Sequence, residues 1–151
     1  MVLLERLSLK QALDKVEKFI QFVTTAKIMY INHIDMTYIS CGHCSAGIAN
    51  GSCKTHGTNF GQYRLRYNLA IHLEQGDDRI VATGFDNVGT ILFGMDVSAL
   101  LKLKDVDLNA FNKVFTDVVQ KNYELQLSYK LVRNEEIENN EVKCTIISID
   151  K

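Results

Sequence analysis

Two short pairs of soft ligands stand close together in this chain. Cys41-Gly42-His43-Cys44 is followed by Cys53-Lys54-Thr55-His56, so the spacing reads C-x2-C, eight residues, then C-x2-H. Thiolate and imidazole donors in two tight knuckles are what a tetrahedral zinc ion takes. The linking stretch, Ser45-Ala46-Gly47-Ile48-Ala49-Asn50-Gly51-Ser52, is built of small residues and two glycines and can fold back on itself. The donor set Cys41, Cys44, Cys53 and His56 fills all four positions and leaves none for a reactive water, which marks a structural rather than a catalytic ion. His43, inside the first knuckle, is an alternative fourth ligand; the C-x2-H spacing favours His56.

Other chemistries fit less well. A disulfide framework wants paired cysteines in a secreted chain, and Cys144 lies far from the cluster. A redox C-x2-C opens a helix, whereas no helical period follows Cys44. A zinc deaminase needs H-x-E ahead of P-C-x2-C. The chain has no proline, and its H-x-E, His72-Leu73-Glu74, follows the cysteines. With no open metal position and no general base to argue for, the sequence gives no support for an enzyme.

Elements of ordinary size must position these ligands. The 151 residues suffice for one domain with a real core, and a hydrophobic content of 46% fits a globular chain. A formal charge of -1 is not the footprint of a strongly basic nucleic-acid binder, so any such affinity must come from a local patch and from stacking. No apolar run approaches the length of a membrane span. No secretory signal pattern opens the chain, which together with reduced cysteines predicts a cytosolic or nuclear setting.

In order, Ser8 to Val23 carries apolar residues at Leu9, Leu13, Val16, Phe19, Ile20 and Val23, the spacing of a short amphipathic helix running into a strand. Val23 to Ile34 is β-like, Ile34-Asp35 is a turn, and Met36 to Ser40 is a short strand entering the metal loop. Tyr63 to Leu73 alternates, with Leu65, Tyr67, Leu69, Ile71 and Leu73 on one face and Arg64, Arg66, Asn68, Ala70 and His72 on the other. Gln75 to Asp78 turns the chain into a returning strand, Arg79 to Asp86. Within it, Ile80, Ala82 and Gly84 oppose Val81, Thr83 and Phe85. Helical pieces at 87–93 and 97–103 flank Gly94, and Asp107 caps a helix over Leu108–Gln120 with the stripe Leu108, Phe111, Val114, Phe115, Val118 and Val119. Strands Tyr123–Val132 and Val142–Ile149 end the chain. The expected architecture is mainly β: a single domain over 1–151, a five-stranded OB barrel with an inserted zinc ribbon at about 41–60 and a helix between its third and fourth strands.

Particular runs then carry a family resemblance. Tyr63-Arg64-Leu65-Arg66-Tyr67-Asn68-Leu69, Ile80 to Asp86, Ile91-Leu92-Phe93-Gly94 and the closing pair Tyr123 to Leu127 and Val142 to Ile146 resemble the C-terminal domain of the replication protein A large subunit, over about Leu9 to Asp150. The resemblance implies an OB-fold with a zinc ribbon between its first two strands, binding single-stranded DNA beside other subunits of its complex, in the nucleus. Two departures are His56 where the family has a fourth cysteine, and a sequence that stops at Lys151 where the family continues into an assembly helix. They suggest a paralogue rather than the general replication subunit, and the resemblance alone points to the telomerase-associated paralogue, which holds telomeric DNA.

The candidate DNA contacts follow. The resemblance makes Phe85 a base-stacking ring; the alternative is a core phenylalanine. Arg64 and Arg66 share the polar face and suit phosphates or stacking, or a merely solvated face. Lys54 and Lys27 are lesser backbone contacts. Tyr38, Phe60 and Tyr63 flank the metal loop as stacking surface or as packing between ribbon and barrel. His33, His72 and Cys144 read as ordinary strand residues, and Asp77-Asp78 as turn chemistry. A second reading is an assembly module, binding protein partners through the barrel and the 108–120 helix with little DNA contact.

Overall fold

The computed structural model describes residues 4–41, 52–53, 57–58, 63–134 and 139–150. Its elements in chain order are α1 (Leu9–Lys15), β1 (Phe19–Asn32), β2 (Thr37–Cys41), β3 (Ser52–Cys53), β4 (Gly57–Thr58), β5 (Tyr63–Tyr67), β6 (Leu69–Gln75), β7 (Asp78–Gly84), α2 (Asp86–Phe93), α3 (Val97–Val106), α4 (Leu108–Thr116), β8 (Lys121–Asn134) and β9 (Asn139–Asp150). Five strands close a barrel in the order β1-β6-β7-β9-β8. β1 is long enough to serve two neighbours: Phe19–Ile28 pair with β8, and Lys27–Asn32 pair with β6. β7 and β9 run parallel through Ala82↔Cys144 and Thr83↔Thr145, so the chain must cross over between them. This is the five-stranded OB topology.

The expected single strand from Tyr63 to Leu73 is two strands. The alternation holds across the whole stretch, with Tyr67, Leu69, Ile71 and Leu73 all buried. At Asn68 the segment changes partners. Tyr63–Tyr67 pair with β2 in a separate two-stranded sheet, whereas Leu69–Gln75 join the barrel. Periodicity reports which face is buried and is blind to such a change of sheet. A further two-stranded sheet pairs Ser52↔Thr58 and Cys53↔Gly57.

The first helix ends earlier than its apolar spacing predicts. Ser8 and Gln11 form a reciprocal capping box, but Phe19, Ile20 and Val23 already belong to β1. α1 packs near one end of the barrel, where Gln75 accepts from Leu9 N at 2.8 Å and Tyr129 Oη donates to Leu9 O at 3.2 Å. Between β7 and β8 stand three helices, matching the helical pieces expected at 87–93 and 97–103 and the helix expected from Leu108, where the barrel scheme alone names one. Gly94, at φ 72°, ends α2 in the left-handed conformation; Asp96 caps α3 and Asp107 caps α4. α4 stops at Thr116, short of Gln120. Gln120 turns at φ 62° and donates its N–H to Ile28 O at 2.7 Å, which starts β8. Of the expected stripe, Phe111, Phe115 and Val118 are buried, and Leu108 is exposed.

The barrel core combines aliphatic side chains with one aromatic pair, and a wholly aromatic cluster lies under the helices. Phe22 meets Tyr129 edge-on at 4.9 Å. Phe93, Phe111 and Phe115 form a second cluster, with His33 at 4.9 Å from Phe115. Cys144 is buried on β9, and burial pushes its thiol from 9.0 up to about 12. The fold therefore favours the protonated thiol. That stability is fully present below pH 9 and is lost as pH rises from 9 toward 12. Burial also raises the Tyr67 and Tyr129 phenols above 10.0, in the same sense. The denaturation midpoint is expected to fall steadily above pH 9, and peptide mapping after alkylation at neutral pH is expected to find Cys144 unmodified until the domain unfolds.

Candidate nucleic-acid interface

β7 delivers Phe85 to the surface. Ala82 and Gly84 face inward, so Val81 and Phe85 face out, each partly exposed. Phe85 is also the residue immediately before α2, and its side chain makes no capping bond. The ring is 37% exposed. It stands edge-on to Tyr38 of β2, with centroids 6.2 Å apart. Tyr38 in turn pairs across the small sheet with Arg66 of β5. Burial raises the Tyr38 phenol above 10.0, partly countered by the Arg66 cation, so it is neutral at physiological pH.

The two arginines differ in ways that their alternation hides. The Arg66 side chain is only 14% exposed. Its Nε donates to Ser40 Oγ at 2.7 Å and its Nη1 to Asp86 Oδ2 at 2.9 Å. Arg64 is 52% exposed, with Nη2 3.7 Å from the same carboxylate oxygen. Arg66 is therefore held by two hydrogen bonds, and Arg64 is the more exposed and more loosely paired of the two.

Asp86, which sequence reasoning did not single out as a site residue, holds this arrangement together. Beyond the two arginines, its Oδ1 accepts from the backbone N–H of fully buried Tyr67 at 2.8 Å. It lies in the first turn of α2, where a negative charge is favoured by the helix dipole. The available signal was an acid at a strand-to-helix junction beside two outward arginines that need a counter-charge. Replacing Asp86 with alanine orphans a buried amide, which costs about 1–3 kcal/mol, and frees Arg66. Thermal denaturation is expected to show a loss on the order of 2–3 kcal/mol, a fall of roughly 4–12 °C in Tm. Asp86→Asn keeps the Tyr67 acceptor and is expected to recover most of that loss.

Of the expected contacts, then, Phe85, Tyr38, Arg64 and Arg66 come together on one face. Lys54 and Phe60 lie outside the described residues, as do Cys44, His56 and His43. Cys41 ends β2 and Cys53 ends β3. Lys27 lies on β1, paired with Glu74.

The family model of the Replication factor-A C terminal domain matches residues 21–151. The chain belongs to that family. Among solved structures, this replication factor-A C-terminal domain is similar to a replication protein A heterotrimer bound to single-stranded DNA, with a TM-score of 0.79 at 20% identity. That match covers 97% of this chain and 36% of the other, so the domain spans about a third of its length. Yeast replication protein A bound to single-stranded DNA is similar at a TM-score of 0.75 and 20% identity, over 100% of this chain and 90% of that one. A comparison with curated proteins gives no match. The strand order of the barrel and the helical crossover between β7 and β8 are the features this family member shares with the OB architecture.

Proposed function

We propose that this domain is a non-catalytic module that holds single-stranded DNA across the face formed by Phe85, Tyr38 and Arg64, inside a nuclear replication protein A-like or telomerase complex. The observation that carries the reading is the exposed Phe85 ring. It is 37% exposed, it meets Tyr38 edge-on, and the next residue, Asp86, carries the half-exposed Arg64 on its carboxylate. Stacking on such rings tolerates any base and needs little net charge, which suits a chain of formal charge -1. Both similar structures hold single-stranded DNA.

Zinc is the cofactor this reading assigns to the 41–60 insertion. Thiolates at Cys41, Cys44 and Cys53 and the imidazole of His56 suit a closed structural site. Cys53 pairs with Gly57 in an antiparallel hairpin, the local form of a knuckle. When bound, the ion supplies cross-linking of the insertion rather than reactivity. The domain's own part is to carry one knuckle on the β2–β5 sheet, whose other residues include Tyr38 and Arg66.

The test is fluorescence anisotropy at fixed salt with a labelled single strand, its duplex, a G-rich telomeric repeat and a scrambled strand. Tighter binding to the single strand supports the reading, and preference for the repeat assigns the telomerase setting over general replication. Chelation of zinc is expected to expose the insertion to protease and to weaken binding. Unchanged cleavage and affinity after complete metal removal contradict the zinc assignment.

One observation favours the assembly reading. Val106 is 84% exposed and Leu108 54%, an apolar corner between α3 and α4. Absence of DNA binding at low salt would turn the function toward protein partners at this corner.

A further inference from the structure

We infer that the outer barrel face carries a second base-stacking platform, formed by Tyr30 and His72 with Val81 as its floor, which extends the DNA path away from Phe85. The inference rests on the single-stranded DNA reading and deepens it.

A backbone irregularity makes the platform. Ile28 is buried, so strict alternation along β1 would turn Tyr30 inward. Instead the register with β6 shifts between Ile28 and Tyr30, the signature of a bulge at Met29. The extra residue turns Tyr30 out to 50% exposure, while Ile31 returns to the core. Bulges that re-aim a side chain cluster at binding sites. Tyr30 lands opposite His72, edge-on with centroids 5.3 Å apart, and His72 lies opposite Val81, itself 50% exposed. The three line a groove of about 310 Å³.

The register connects this groove to Phe85. On the outer face of β6 and β7 the cross-strand pairs are His72↔Val81 and then Ala70↔Thr83, with Asn32 of β1 opposite Ala70. Ala70, Thr83 and Asn32 are short side chains, so they form a low floor between two aromatic rims. From Val81 to Phe85 is four residues, about 13 Å at roughly 3.3 Å per residue. A strand resting on both rims spans several nucleotides, within the roughly 4–16 that one OB fold accommodates. Arg79 and Glu74 also line the groove; Arg79 is 78% exposed and forms an ion pair with Glu74 at 3.1 Å, which offsets that carboxylate where a phosphate backbone would pass.

The chemistry that fits is an unpaired strand with splayed bases. A ring pair with one exposed face stacks any base, whereas a duplex hides its base faces. The experiment is fluorescence anisotropy with a labelled single strand of about 12 nucleotides, using wild type, Phe85→Ala, Tyr30→Ala, Tyr30→Phe and His72→Ala, with circular dichroism to verify folding. Tyr30→Ala is expected to lose about tenfold in affinity, the scale of one stacked base, with Tyr30→Phe at the wild-type level. If Tyr30→Ala does not fold, a comparable loss in folded His72→Ala supports the platform, and wild-type binding by it overturns the platform. Wild-type affinity in Tyr30→Ala alongside weakened Phe85→Ala overturns the second platform and leaves the first reading intact. Wild-type affinity in both overturns both aromatic contacts, and absence of binding by the wild type at low salt overturns the DNA reading itself. Equal loss in Tyr30→Phe and Tyr30→Ala would assign the contact to the hydroxyl and overturn stacking.

Discussion

Phe85→Ala is expected to lower the affinity for single-stranded DNA about tenfold, with no change in far-ultraviolet dichroism. Losing one base–aromatic stack costs about 1–3 kcal/mol, a factor of roughly 5 to 150. The fold does not depend on this ring to the same degree. Phe85 is 37% exposed, and the cap of α2 uses its backbone only. What does hold the junction is Asp86 one residue on, through Tyr67 N and Arg66. Removing the Phe85 side chain therefore separates function from stability, and the anisotropy titration reads the difference. A mutant that binds DNA like wild type would show that the ring only packs on Tyr38.

The second large effect lies behind that junction. Glycine to alanine inside a helix ordinarily stabilises it by about 1 kcal/mol. At Gly89 the sign is expected to reverse. Gly89 is buried on α2, and an added Cβ would overlap the ring of Tyr67, including Cε2 at 2.8 Å. That ring cannot easily yield. It is fully buried, packed on Phe93 at 5.6 Å, and its hydroxyl donates to Met95 O at 2.9 Å. Overpacking of this kind costs about 1–3 kcal/mol or more, and it outweighs the propensity gain because neither partner can shift alone. Gly89→Ala is expected to lower Tm by several degrees, at roughly 2–4 °C per kcal/mol. A stabilised variant would mean that α2 does not approach β5 as closely as described. The close approach matters to the site, since it is what lets Asp86 reach the β5 backbone and both arginines.

Much of this was legible in the residues. The alternation from Tyr63 to Leu73 and from Arg79 to Phe85 identified the buried faces, and it placed Phe85 and Arg64 outward as found, whereas Arg66 is largely covered. The helix cap at Asp107 and the break at Gly94 were local signals with local consequences. What periodicity could not carry was partner choice. It does not show that Asn68 separates two sheets, nor that Met29 is an extra residue in β1, because both depend on distant neighbours. The two arginines looked alike for the same reason. Only the arrival of α2 from later in the chain sets Arg66 tightly on Asp86 and Arg64 more loosely on the same carboxylate. The overlong first helix reflects an apolar spacing that a helix end and a strand start happened to share.

The central claim is that a single strand lies across Phe85 and its neighbours. Photocrosslinking with strands carrying 5-iodouracil at successive positions, followed by peptide mapping, tests it most directly, because that base couples to aromatic rings on which it rests. The account expects crosslinks in the peptides holding Phe85 and Tyr38, lost in Phe85→Ala or competed away by unlabelled single strand. Crosslinks confined to the α3–α4 corner, or none at saturating DNA, would contradict it.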